Sequence, residues 1–397
     1  MTRVWCLRFV TVPPDDVDAP SDAVSADDTA SIIEMARELG LDRIGFTDAS
    51  ILERARVALH DRSDRGLADS MGFTFRNPER STDPRRAVDG ARSIIVAARS
   101  YNVPDEEPPA RLNATVARYA RVDQYTPLRQ ALQKIALRLR ADGHRAVVFA
   151  DENDLVDREV AYRAGLGWFG KNANLLLPGA GRFFSLGSIV TTAVFVPASQ
   201  PAPDGCGSCR ICIDACPTAA IVDVGVVDAR RCLAWLVQKP GVFPVAFREA
   251  LGDRIYGCDD CQSTCPPNVR LAPRHRPRDA AQLPVAIGPG QHVDLLDILR
   301  VDDDRLIELY GRWYLADRDP VWLRRNALVI LGNVAPVPVD DSVRSVLRHY
   351  LGSDVSILRA HALWAARRLG LDDMLSRVRD DPDPLVRAEW TEPVTPR

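Results

Sequence analysis

Apolar positions along the first half of the chain alternate between two periods. Ile32, Ile33, Met35, Ala36 and Leu39 recur at helical spacing and predict an amphipathic helix over Thr29–Leu39, stopped by Gly40. DRIGFT at 42–47 and ARSIIVAA at 91–98 predict strands, the second buried because its apolar run is continuous. Further helices are expected over Leu52–His60, Leu128–Asp142 and Asp154–Ala164, the last two closed by Gly143 and Gly165. AVVF at 146–149 predicts a short strand ending at Asp151. Ala114–Tyr119 and Ser185–Val196 also read as strands, and GWFGKNAN at 167–174 as a loop. Met71–Arg86 is Arg-rich, with Pro78 and Pro84 as breakers, and reads as irregular. Alternating strands and helices predict an α/β (α+β) domain over residues 29–198. Before it, residues 1–28 are acidic and Pro-bearing and read as a disordered leader.

Residues 291–397 carry helical patterning throughout. Three segments echo one another, opening at Asp319-Pro320, Ser353-Asp354 and Asp381-Pro382. Each has a short acidic turn, an aliphatic pair, an Arg, then an Ala-rich helix. The period of about 30–34 residues fits stacked helical hairpins of HEAT type. Between the two regions lies a stretch, 199–290, with little apolar periodicity and a Pro-rich end.

That middle stretch holds eight of the nine cysteines. They read Cys206-x2-Cys209-x2-Cys212-x3-Cys216-Pro217, then Cys232, then Cys258-x2-Cys261-x3-Cys265-Pro266. The first run matches the two-cluster bacterial ferredoxin, in which the Pro-flanked fourth Cys ligates the other cluster. This assigns one [4Fe-4S] cluster to Cys206, Cys209, Cys212 and Cys265. The second falls to Cys216, Cys232, Cys258 and Cys261. Structural zinc prefers paired C-x2-C knuckles, which this spacing is not. A disulfide framework suits short secreted chains rather than one of 397 residues. Cys6 stands apart from both groups. The six histidines share no metal-ligand spacing.

Net charge is −3, so no global basic field announces nucleic acid. Positive charge is nearly all Arg, with three lysines, Lys134, Lys171 and Lys239. No stretch approaches the ~20 apolar residues of a membrane span, and residues 1–12 lack a signal-peptide layout. A cytoplasmic protein is expected. Neither G-x-G-x-x-G after a strand nor a P-loop is present. Two clusters carry electrons, so a partner or a further cofactor must receive them. Asp151 follows a strand and is either a helix cap or a general acid. Lys171 and Asn172 are either surface residues or anchors for a phosphate or amide. Arg76 and Arg80 either clamp an anion or are solvated.

The chain resembles the epoxyqueuosine reductase family. The resemblance is carried by Leu39–Thr47, by Asp157–Asn172 (DREVAYRAGLGWFGKN) with Asp151, by Arg231-Cys232-Leu233, by Tyr256–Gln262 (YGCDDCQ), and by Arg325-Asn326-Ala327-Leu328. It implies a cobalamin-binding domain related to reductive dehalogenases, a two-cluster module and HEAT-like repeats. It implies base-off cobalamin, and Asp151 as proton donor touching that cofactor. Arg80, Leu175, Leu186, Asp259 and Asp260 are the further cofactor contacts it implies. It also implies reductive deoxygenation of epoxyqueuosine at the wobble position of a tRNA anticodon stem-loop. An external low-potential electron donor, a monomer and no membrane complete the expectation. Where the family commonly has D-Y-H, this chain reads Asp123-Gln124-Tyr125-Thr126. The same cofactors would serve a reductase of another epoxide or an organohalide. The cysteines alone would serve a non-catalytic electron carrier.

Overall fold

The computed structural model describes residues 22–101, 105–109, 112–179, 181, 183–271 and 288–397. Cys6, His275 and the expected leader up to residue 21 lie outside the described residues, as does the Pro-rich stretch 272–287. The described chain forms two compact units that interleave in sequence. The first comprises residues 1–104, 123–228 and 260–286, the second 105–122, 229–259 and 287–397. The units therefore do not follow the three consecutive stretches expected from the sequence.

In the first unit, four strands make one sheet in the order Arg43–Asp48, Ser93–Ser100, Phe184–Thr191, Ala146–Phe149. Every pairing is antiparallel. The strand–helix alternation thus belongs to an α+β arrangement, because a continuous apolar strand looks the same whatever its neighbours' direction. Ser93–Ser100 is continuous because both faces are covered. Ile94, Val96 and Ala98 join a core with Leu155, Val160 and Ala164. Ile95 and Ala97 face the other core, with Ile32, Leu128, Leu132 and Ile135. Gly187 lets the helix Tyr125–Ala141 approach the sheet closely: a Cβ there would lie 2.6 Å from Leu132 Cδ1. The first helix starts at Ala26 rather than Thr29, because the Ser25 hydroxyl caps it by accepting from Asp28 N. The 71–86 segment, expected to be irregular, folds into three short helical turns, two opened by Pro78 and Pro84 at N1.

The second unit pairs a small three-stranded sheet (Arg254–Tyr256, Asn113–Val116, His292–Asp294) with helices. The echoed segments become helices Val321–Val334, Ser356–Arg368 and Pro384–Thr391. Asp383 caps the third, its Oδ1 accepting Leu385 N at 2.8 Å, and just before the first helix Asp319 Oδ1 accepts Val321 N at 2.9 Å. Ser356–Arg368 is buried nearly all round, with Trp364 at its centre.

The Arg-Asn-Ala-Leu motif is explained here. Arg325 is fully buried and donates to the carbonyls of Leu236, Lys239 and Gly241 at 2.7–2.9 Å. Asn326 donates to Val237 O at 2.8 Å. The pair thereby fastens the segment between Cys232 and Cys258 to the helices. Nearby, Arg248 forms a fully buried bidentate pair with Glu389 at 2.6 and 2.7 Å. His361 accepts Phe243 N–H on Nε2 at 3.1 Å, while Nδ1 lies 2.7 Å from Ile357 O. That arrangement fixes a neutral imidazole with its proton on Nδ1. No helix among the described residues is long and apolar enough to cross a membrane.

Two stability effects are expected. Glu389→Ala leaves the Arg248 charge buried without its partner and should cost about 3–5 kcal/mol, read from urea unfolding. Burial first, then repulsion from Arg248 and Arg325, holds His361 well below its ordinary value. The unfolded chain takes that proton near pH 6.5 and the native one does not. Stability is therefore complete above pH 6.5 and declines as pH falls below it. His361→Gln should flatten that decline in urea midpoints measured at pH 7.5 and 5.5.

Candidate functional site

Asp151 sits two residues past the strand Ala146–Phe149, in the left-handed region at φ 60°. The backbone turns sharply there and aims the residue away from the sheet edge. It is not a helix cap. The next helix begins at Asp157, with Val156 at its N-cap and no side-chain cap bond. By area Asp151 is exposed, yet its carboxyl is held above the usual carboxylate range. Surrounding protein is the main cause. Arg129 opposes the rise, while Glu152 and Asp123 add to it. An exposed carboxyl with protein packed closely around it satisfies both observations.

A second acid lies beside it. Asp157 is ringed by protein, which pushes its carboxyl up to about 8; Ser188 Oγ donates to it at 3.3 Å. Asp151 and Glu152 push the same way, and Arg158 opposes them. Tyr125 completes the group, its phenol raised by burial and then by Asp151 and Asp157. Asp157 was legible only as part of a motif, because an acid in the first turn of a helix usually complements its dipole.

The other expected contacts divide. Arg80 Nε pairs with Asp154 Oδ1 at 2.7 Å, joining the Arg-rich segment to the loop that carries Asp151. Leu175 and Leu186 are both buried in one apolar cluster with Phe149. Leu186 and Ser188 share a face of their strand, so this apolar floor borders the acids. Such a floor with carboxyls at its edge suits the face of a corrin ring. Asp260 also lies in the first unit, whereas Asp259 lies in the second, where its carboxylate accepts Arg118 N at 2.7 Å. An open cleft of about 450 Å³ near Asp89, Arg140 and Arg145 lies at the strand's other end. Its Arg145 already pairs with Asp89.

The expected loop 167–174 is instead the turn of a ribbon pairing Trp168–Phe169 with Leu175–Leu176. Asn172 is no anion anchor. It is buried, and its Nδ2 donates to Cys261 O at 3.1 Å. Lys171 O accepts Gly225 N at 2.9 Å.

No disulfide joins any two of the eight described cysteines. Cys206, Cys209, Cys212 and Cys265 all belong to the first unit, the last two buried. Cys216 Sγ accepts the N–H of Ala220 at 3.2 Å, as a cluster-bound thiolate does. Cys216 and Cys261 belong to the first unit, Cys232 and Cys258 to the second. Among the described residues, no three His, Cys, Asp or Glu side chains gather closely enough to hold a single metal ion.

Comparisons with known proteins agree with this chemistry. Residues 205–268 match the family of the 4Fe-4S double cluster binding domain. Residues 81–152 match the family described as epoxyqueuosine reductase QueG, DUF1730. An epoxyqueuosine reductase of Xanthomonas campestris pv. campestris is 35% identical over 381 residues, spanning 92% of this chain and all of that one. One from Bacillus anthracis is 32% identical over 348 residues, 86% of this chain and 89% of the relative. A crystal structure of epoxyqueuosine reductase with an epoxyqueuosine-modified tRNA-Tyr stem loop superposes with TM-score 0.81 at 27% identity. It covers 91% of this chain and 96% of that one. A Bacillus subtilis epoxyqueuosine reductase whose catalytic aspartate loop is swung out of the active site gives TM-score 0.80 at 28% identity, covering 91% and 97%.

A protonated carboxyl should be visible by infrared difference spectroscopy near neutral pH and titrate at about 8. Asp157→Asn should abolish that band, and its persistence would assign the proton elsewhere.

Proposed function

The chain belongs to the epoxyqueuosine reductase family, and from that premise we propose that it reduces epoxyqueuosine in tRNA to queuosine. The reaction consumes two electrons and two protons. The epoxide oxygen leaves as water and a carbon–carbon double bond remains. The observation that carries the reading is the raised carboxyl of Asp151 at the open end of its strand, beside an apolar floor.

Cys206, Cys209, Cys212 and Cys265 would hold one [4Fe-4S] cluster, and Cys216, Cys232, Cys258 and Cys261 a second. The pair would supply electrons taken from an external low-potential donor. Cobalamin, when bound and reduced, supplies a strongly nucleophilic cobalt centre for the carbon skeleton. Arg80, Leu175, Leu186, Asp259 and Asp260 are the residues that would hold it. Asp151, its carboxyl held above the usual carboxylate range, passes a proton to the epoxide oxygen as the C–O bond breaks. Burial, with the nearby carboxylates of Glu152 and Asp123, favours keeping that proton, because a negative neighbour opposes ionisation. Arg129 limits the rise, so that the acid can still let the proton go.

The substrate is the anticodon stem-loop of a tRNA. A single-stranded loop lets its modified base be splayed into a pocket, and Arg side chains of the repeats hold the stem by its phosphates. The leader 1–28, catalytic region 29–198, cluster region 199–290 and repeats 291–397 act as one cytoplasmic monomer.

The test is turnover of epoxyqueuosine-containing tRNA with added cobalamin and a low-potential reductant. Asp151→Asn should lower kcat about 10²–10⁴-fold while iron and cobalamin content stay unchanged. Wild-type turnover in that variant would remove the proton-donor role. Because the working form is the protonated acid, the wild-type rate should fall as pH rises through the raised Asp151 value. Failure to bind epoxyqueuosine tRNA at low salt would overturn the tRNA reading itself.

A further inference from the structure

Trp168 presents a donor for which the protein supplies no acceptor. Its Nε1 is fully buried and has no hydrogen-bond partner. An indole has only this one polar group, a donor. Leaving it unmet in the interior carries the desolvation penalty of a lost hydrogen bond. The other two buried unpartnered side-chain atoms, Asn333 Oδ1 and Arg368 Nε, belong to groups whose remaining atoms are bonded. Trp168 has no such second contact.

The ring's position indicates where an acceptor would lie. Trp168 is held by its ribbon pairing with Leu176. The edge of the ring adjoining Nε1 is laid on Gly205. A Cβ on that glycine would stand 2.6 Å from Cζ2 and 2.9 Å from Cε2, the carbon bonded to Nε1. No larger residue fits there without moving the indole. Gly205 immediately precedes Cys206, the first cysteine of the cluster run. The six-membered ring of the indole, next to its N–H, therefore packs against the start of the segment that would wrap a cluster.

Iron–sulfur clusters fill such a need. Their thiolate and sulfide sulfurs accept hydrogen bonds, and those bonds help set the potential. Backbone already plays this part at Cys216, whose sulfur accepts Ala220 N–H. We infer that Trp168 Nε1–H donates a hydrogen bond to a sulfur of the cluster held by Cys206, Cys209, Cys212 and Cys265. This rests on the two-cluster reading above. Trp168 is a tuning residue: it stabilises the more negative, reduced cluster and so raises that cluster's potential over the other. The small Gly205 is what allows the indole edge to come so close.

The experiment is redox titration of the reconstituted full-length protein, followed by EPR, for wild type and Trp168→Phe. Phenylalanine keeps an aromatic, apolar side chain and removes the N–H together with part of the ring system. With iron content equal to wild type, one of the two midpoint potentials should become more negative while the other stays fixed. Two unchanged potentials would overturn the inference. Should Trp168→Phe fail to hold its iron, wild-type protein carrying indole-¹⁵N tryptophan decides. A ¹⁵N coupling to a reduced cluster supports the bond, and its absence overturns it. The two-cluster reading fails separately, if the wild type itself binds no pair of four-iron clusters.

Discussion

Burial of two neighbouring strands on both faces is the constraint from which the first unit's chemistry follows. Ser93–Ser100 and Phe184–Thr191 pair along their whole length, and helices cover each side of them. Transfer of so continuous an apolar surface out of water leaves the register no freedom, since a slip of one residue would turn every side chain to the wrong face. With register fixed, the edge strand Ala146–Phe149 is fixed too, pairing Phe149 with Ser188. The left-handed turn that follows can then set Asp151 beside Asp157, which Ser188 holds. The acids are positioned by hydrophobic packing that never touches them.

The second unit solves a different problem. The segment from Cys232 to Cys258 has little apolar periodicity of its own. It is fixed by burying Leu236, Val237, Phe243 and Ile255 in the core of the helices and by donors from those helices. Arg325 donates to three backbone carbonyls and to the Asn326 side-chain oxygen, so its charge is spread over amide dipoles. A guanidinium can do this because its five N–H groups form a rigid fan. Lysine has three donors on one atom and could not reach carbonyls on several sides. The near absence of lysine in this chain reads as genome composition, but at position 325 arginine is a geometric requirement.

How much of this was legible beforehand varied with the range of the physics. The cysteine groups were legible because cluster ligation is written as local spacing. Asp151 was legible as a strand-end acid, and the family resemblance chose between acid and cap. Strand direction was not legible, because a strand covered on both faces gives one apolar run in either sense. The ribbon at 168–176 was read as a loop, since its two-residue strands are too short for any period to show. Asn172 reads from sequence as a surface residue or an anchor for a phosphate or amide, and the structure has it hold a backbone carbonyl 89 residues away. The orphaned indole of Trp168 had no sequence signal, because an unmet donor is defined only by what surrounds it.

That same Asn172 contact bears on how quickly charge moves. If Cys261 ligates a cluster, one electron added there changes the charge felt by its backbone. A carbonyl free to swing would rotate toward each new field, and the transfer would wait for that rotation. Tied to an amide that is buried and turned by its own bond to Asn174 N, the carbonyl has nowhere to go. Oxidised and reduced states then share nearly one geometry. Little nuclear rearrangement separates them, which is the condition for an electron to pass without a large barrier of its own.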